Sequence, residues 1–105
     1  MAEYRRLKKL KVNFGYEDTK LSWVDSGHYT PDFTIRNGPG GDVIYVEKKG
    51  YFRPEHKRIL KAVKRTHPAL DIRLVFYRER RSDIKWAEKY GFPWAIGTIP
   101  KEWLV

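Results

Sequence analysis

Two runs separated by a glycine-rich break decide how this chain folds: Tyr29-Thr30-Pro31-Asp32-Phe33-Thr34-Ile35-Arg36, then Asn37-Gly38-Pro39-Gly40-Gly41, then Asp42-Val43-Ile44-Tyr45-Val46-Glu47-Lys48-Lys49. The third stretch is β-branched and apolar through Val46, the composition of a central strand. The first reads as a strand with Pro31 near its start, where a missing N–H is tolerated. So short a connection makes the pair an antiparallel hairpin.

Working outward, Pro54 opens a helix through about His67, with Ile59, Leu60 and Val63 on one face and Lys57, Arg58, Lys61, Lys64 and Arg65 over the rest. Pro68 stops it, and Asp71–Tyr77 is a second buried strand. Strand, helix and strand form a βαβ crossover, so the two strands run parallel. Ser82 caps a helix through about Tyr90, Gly91 ends it, and Phe92–Val105 packs as a last strand and turn. On the other side, Tyr4, Leu7 and Leu10 form the apolar stripe of a helix over residues 2–11. Phe14–Val24 gives one or two short strands, and Asp25-Ser26-Gly27 a turn. The outline is α/β: a mixed sheet with helices on its faces, in one domain spanning residues 1–105.

The chain carries 22 Lys and Arg against 13 Asp and Glu, a formal charge of +9 that attracts polyanions. It lacks cysteine, which excludes disulfides and thiolate zinc sites. With no apolar run of membrane-spanning length and no signal peptide at Met1–Arg6, it reads as soluble and intracellular, without a membrane partner or a small-molecule cofactor.

The chemical signal lies on the hairpin. Side chains alternate along a strand, so Glu47 and Lys49 leave one face while Lys48 points away. The turn brings Asp32 alongside Glu47. Two carboxylates this close repel unless a cation sits between them, and oxygen ligands suit Mg²⁺, with Mn²⁺ as substitute. The carbonyl of Lys48 is a further candidate ligand. Lys49 can orient or help deprotonate a water, and can stabilise charge on a phosphate. The arrangement suits phosphodiester hydrolysis, with a nucleic acid as the expected partner; the alternative is that Asp32 only starts a strand and Glu47 only pairs with a lysine.

Pro31-Asp32 followed by Glu47-Lys48-Lys49 resembles the PD-(D/E)xK nucleases, and within them the phage endonuclease I-like family of Holliday junction resolvases. The likeness extends through Tyr29–Phe33, Val46–Gly50, His67–Phe76 and Ile99–Trp103, in the same order. It implies a restriction-endonuclease-like fold and a phage-encoded enzyme, active in the bacterial cytoplasm, that cuts branched DNA with a divalent metal. It assigns metal binding to Asp32 and Glu47 and the catalytic lysine to Lys49. The family's further catalytic glutamate, on its first helix, aligns at or before Met1, which leaves Glu3 as the candidate one turn along and Glu17 as a weaker one. The family's dimer is built through a bridging strand, and the matching region here, Ser22–His28, is shorter, which leaves strand exchange open: a homodimer would supply the two centres for paired cuts, whereas a monomer would nick one strand.

For phosphate contact the sequence offers Lys57, Lys61 and Lys64 on helical spacing, Arg53 and Arg58 beside them, and Arg78, Arg80 and Arg81 after a strand end. The alternative for the helix cations is a solvated face, and for Arg78, Arg80 and Arg81 a solvated turn. Trp23, Trp86, Trp94 and Trp103 fit core packing better than base stacking. His28, His56 and His67 lack metal-ligand spacing. Two other readings stay open: a site-preferring nicking endonuclease of homing type on the same fold, and a DNA-binding protein whose nuclease centre has decayed.

Overall fold

The central hairpin is present. In this computed structural model, which describes residues 2–23, 27–36 and 41–104, strand β4 (Phe33–Ile35) runs antiparallel to β5 (Ile44–Lys49), with Phe33 opposite Val46 and Ile35 opposite Ile44. Asp25-Ser26, the break at 37–40 and the side chain of Trp23 lie outside the described residues. The first run is cut in two. Tyr29 closes β3 (Gly27–Tyr29), which pairs with β2 (Leu21–Trp23) in a separate two-stranded sheet, and β4 begins only at Phe33. Pro31 explains the cut, since it cannot donate to a ladder and restricts Thr30 before it.

The main sheet has the order β1-β4-β5-β6-β7. β1 (Phe14–Tyr16) pairs antiparallel with β4, while β6 (Asp71–Phe76) and β7 (Trp94–Ile96) extend the sheet in parallel from β5. The crossover helix is α2 (Pro54–Thr66), with α3 (Arg81–Lys89) joining β6 to β7. This is the mixed α/β sheet flanked by helices that the sequence implies. No helix is long and apolar enough to cross a membrane among the described residues.

Alternation sorts side chains into two cores. Phe33, Ile35, Ile44, Val46 and Val75 pack with Leu7 of α1 (Ala2–Lys9), Ile99 and Leu104. Ile72, Leu74 and Phe76 pack on the other side with Leu60 and Val63 of α2, Ala87 of α3, Phe52 and Phe92. Tyr45 joins this second core, so on β5 residues 45, 47 and 49 face α2 while residue 48 faces α1.

Three local expectations are corrected. α1 stops at Lys9, leaving Leu10 outside the stripe and 45% exposed. α3 starts at Arg81 with Arg80 at its cap, so Ser82 lies inside the first turn and caps nothing; no side chain caps this helix. The tail's strand is followed by a 3-10 turn at Lys101–Trp103. Trp86 is a packing residue, stacked on Phe92 with ring centroids 5.3 Å apart and edge-on to Phe52 at 4.9 Å.

Candidate active site

Pro31 and the end of the β4–β5 ladder build the site. The ladder ends with Phe33 opposite Val46, and its register carried on would set Asp32 opposite Glu47 and Pro31 opposite Lys48. Proline has no N–H, so it gives the Lys48 carbonyl no ladder partner. The N–H of Lys48 is taken instead by the Asp32 carboxylate, at 2.9 Å. A residue's N–H and C=O point to the same side of a strand, so the Lys48 carbonyl faces the Asp32 side.

Glu47 is only 6% exposed. Its Oε1 accepts a hydrogen bond from the Tyr29 hydroxyl, and the Lys49 Nζ lies 3.1 Å from Oε2. Burial, reinforced by the Asp32 charge, lifts the Glu47 carboxyl to about 7 against the pull of Lys49 and Tyr29. Burial and the Glu47 charge likewise raise the Tyr29 phenol.

Lys49 has a second partner to which no local sequence signal points. Its Nζ lies 3.1 Å from Nδ1 of His56, on the first turn of α2. An ammonium only donates, so His56 must accept at Nδ1 and carry its proton on Nε2. Burial, with the Lys49 charge beside it, holds the imidazole below its ordinary value, consistent with that neutral form. Tyr29, Lys49, His56, Ile59 and Leu60 line a cavity of about 130 Å³ at this point.

The structure brings Asp32, Glu47, Lys48 and Lys49 together, but not Glu3. Glu3 is on α1, across the sheet from Glu47, and its Oε1 accepts from Lys48 Nζ at 3.2 Å and from the Ile99 N–H at 3.1 Å. Arg6 donates to Oε2 at 2.9 Å. The cause is strand alternation, which gives Lys48 to α1 and Glu47 to α2. Glu3 is therefore a buried fastener between α1, β5 and the tail. Glu3→Ala should lower stability by about 2 kcal/mol, because it strands partly buried cations and an N–H. Thermal melts paired with cleavage rates per folded molecule check this; a rate loss with an unchanged melt contradicts it. Glu17, the weaker candidate, is exposed and holds a left-handed φ of 51°.

The basic residues fall into two groups. Lys57 Nζ is 3.3 Å from the buried Asp83 carboxylate and lies over the Phe52 and Trp86 rings. Lys61 covers Tyr90, and Lys64 covers Phe92 while donating to the Gly91 carbonyl at 3.0 Å. The spacing read as a phosphate stripe thus lies along the seam between α2 and α3, where aliphatic stems shield apolar surface. Arg53, Arg58, Arg78, Arg80 and Arg81 are exposed.

Among the described residues no group of three or more His, Asp or Glu side chains assembles. A cation between Asp32 and Glu47 would have two carboxylates and the Lys48 carbonyl from the chain. This donor set fits Mg²⁺, which keeps several waters and uses one or two carboxylates plus substrate phosphate.

Comparison with known proteins shows the family to which the chain belongs. Residues 2–105 match the phage endonuclease I family. The chain is 34% identical over 111 residues to "Endonuclease I" of Escherichia phage T7, covering 95% of this chain and 71% of that protein. It is 34% identical over 107 residues to "Endodeoxyribonuclease 1" of Enterobacteria phage T3, covering 91% of this chain and 67% of the relative. A match of this extent is decisive: the chain belongs to the phage endonuclease I family.

Proposed function

We infer that this protein is a divalent-metal-dependent DNA endonuclease of the junction-resolving type, with Asp32, Glu47 and the Lys48 carbonyl holding Mg²⁺ or Mn²⁺. The observation that carries this reading is the convergence of Asp32, Glu47 and Lys49 where Pro31 interrupts the ladder. The cation would neutralise phosphate charge and lower the pKa of a water at the site. The chain's own groups do the rest. Asp32 is fixed by the Lys48 N–H and Glu47 by Tyr29, so neither carboxylate must reorganise as charge develops. Lys49, held between Glu47 and His56, presents its ammonium to the scissile phosphate. Arg53, Arg78, Arg80 and Arg81 supply contacts to the flanking backbone, with Arg58 beside them. They recognise phosphate placement rather than base sequence.

The chain acts as one nuclease domain, and paired cuts on a four-way junction require two such centres, which a homodimer supplies. The phage origin of both relatives supports an enzyme acting on DNA in the infected bacterium's cytoplasm. The test is a panel of labelled substrates, namely a four-way junction, a nicked duplex and a linear duplex, with Mg²⁺, Mn²⁺ or EDTA. Paired cuts confined to the junction support the reading. Single nicks in linear duplex favour the nicking enzyme, and tight binding without cutting leaves a DNA-shape binder.

The role of His56 has its own test. His56→Leu should lower single-turnover cleavage about tenfold with little change in junction affinity, as expected when one positioning hydrogen bond is removed. His56→Gln, whose amide oxygen can accept from Lys49, should restore most of the rate. If Leu and Gln behave alike, the hydrogen bond to Lys49 is not what matters.

A further inference from the structure

Beyond Lys49, the ends of β5 and β6 carry two tyrosines that the catalytic reading does not use. Tyr51 is 64% exposed and Tyr77 56%, the two most exposed of the large hydrophobic side chains among the described residues. Single exposed apolar residues need no explanation. These two are not scattered. The Tyr77 N–H donates to the Lys49 carbonyl at 3.0 Å, and its ring lies so close over Gly50 that a Cβ there would stand 3.1 Å from it. Gly50 thus lets one ring lie against the backbone that leaves the catalytic strand, with Tyr51 next in the chain.

Two guanidinium groups lie by Tyr51, and one ammonium, that of Lys48 already paired with Glu3, lies by Tyr77. The Arg53 and Arg80 guanidinium carbons lie 6.0 and 5.8 Å from the Tyr51 ring centre, and Lys48 Nζ lies 4.9 Å from that of Tyr77. Aromatic faces set among cations, at the edge of a cluster suited to a phosphodiester, have the composition of a surface for unpaired nucleotides. Rings stack on bases of any identity while the cations hold the adjoining phosphates. Paired bases in a continuous duplex keep their faces covered by their neighbours and offer nothing to such a ring. An unpaired base, or one at an interrupted stack, does.

We propose that Tyr51 and Tyr77 form a stacking platform for an unstacked nucleobase beside the scissile phosphate, with Arg53 and Arg80 gripping the backbone on its flank. The platform deepens the nuclease reading and rests on it for the position of the cut. It makes the enzyme select DNA whose base stack is interrupted at the cleavage site.

The experiment measures affinity in EDTA, where metal-dependent cutting is absent, by fluorescence anisotropy. Its probes are a labelled duplex with a single-stranded flap and a linear duplex of equal length. Tyr51→Ala and Tyr77→Ala should each weaken flap binding about tenfold, and leave linear-duplex binding unchanged. Tyr51→Phe and Tyr77→Phe should match wild type, since the ring and not the hydroxyl does the stacking. Equal losses on both probes, no loss on either, or Phe variants that behave like Ala would each overturn the platform. Cleavage by the wild type with Mg²⁺ is scored separately. Cutting with unaltered flap preference in the Ala variants removes the platform alone, whereas selective flap loss without any cutting keeps the platform and removes the nuclease reading.

Discussion

Lys49→Met is expected to lower single-turnover cleavage of a four-way junction about 10²- to 10³-fold while leaving junction affinity nearly unchanged. Methionine keeps most of the stem, so the packing against Ile59, Leu60 and Tyr29 around the small cavity survives. What disappears is the charge, 3.1 Å from Glu47 and 3.1 Å from His56, at the place where the phosphate acquires negative charge. Ground-state binding is spread over many backbone contacts, so one cation among them contributes little to affinity. A rate loss accompanied by an equal loss of affinity would instead make Lys49 an ordinary phosphate contact. Lys49→Arg should recover only part of the rate, because a planar guanidinium cannot fill the same point between a carboxylate and an imidazole.

Glu47→Gln should abolish cutting and, in the absence of metal, make the protein more stable at pH 8. The Glu47 carboxyl is raised from its ordinary 4.5 to about 7, with burial as the leading cause. Between those values the folded chain holds a proton that the unfolded chain has released, so ionisation works against folding as pH rises. The resulting penalty is absent below about pH 4.5, grows through neutrality and is complete above pH 7. At about 1.4 kcal/mol per unit of pKa difference, it reaches about 3 to 4 kcal/mol, several degrees in Tm for a domain of this size. Glutamine has no charge to bury and escapes this penalty. The variant's advantage should therefore shrink towards zero near pH 5. Mg²⁺ or Mn²⁺ should erase it at pH 8 by stabilising the wild type and not the variant. Melting curves at pH 5 and pH 8, with and without metal, check the sign. A wild type that outlasts Glu47→Gln at pH 8 without metal would show that the ion pair with Lys49 outweighs the burial of charge.

The hairpin, the parallel crossover and the pairing of Asp32 with Glu47 and Lys49 were legible because each is set by local chemistry. β4 and β5 run antiparallel, period-two alternation sorts residues 47 and 49 from 48, and a helix between strands enforces parallel order. Pro31 reads in the sequence as lying near a strand start, but it separates β3 from β4, and its effect on the Lys48 carbonyl depends on register. What escaped the sequence depends on which face an element turns toward its neighbours. Helical spacing placed Lys57, Lys61 and Lys64 on one stripe but could not say that α3 would cover it. Nothing local ties His56 to Lys49, and Tyr29 sat inside the quoted motif without its hydroxyl being recognised as the partner of Glu47. Glu3 was read by position along a helix, and the sheet lies between it and the site.

Wild type and Asp32→Ala on the same labelled four-way junction, each scored for binding in EDTA and for cleavage after Mg²⁺ is added, give the most direct test of the metal centre. Both should bind with similar affinity, the wild type should cut only once metal is present, and Asp32→Ala should bind but not cut. Cleavage by the wild type in EDTA, or undiminished metal-dependent cleavage by Asp32→Ala, would contradict the assignment of Asp32, Glu47 and the Lys48 carbonyl as the metal-holding centre.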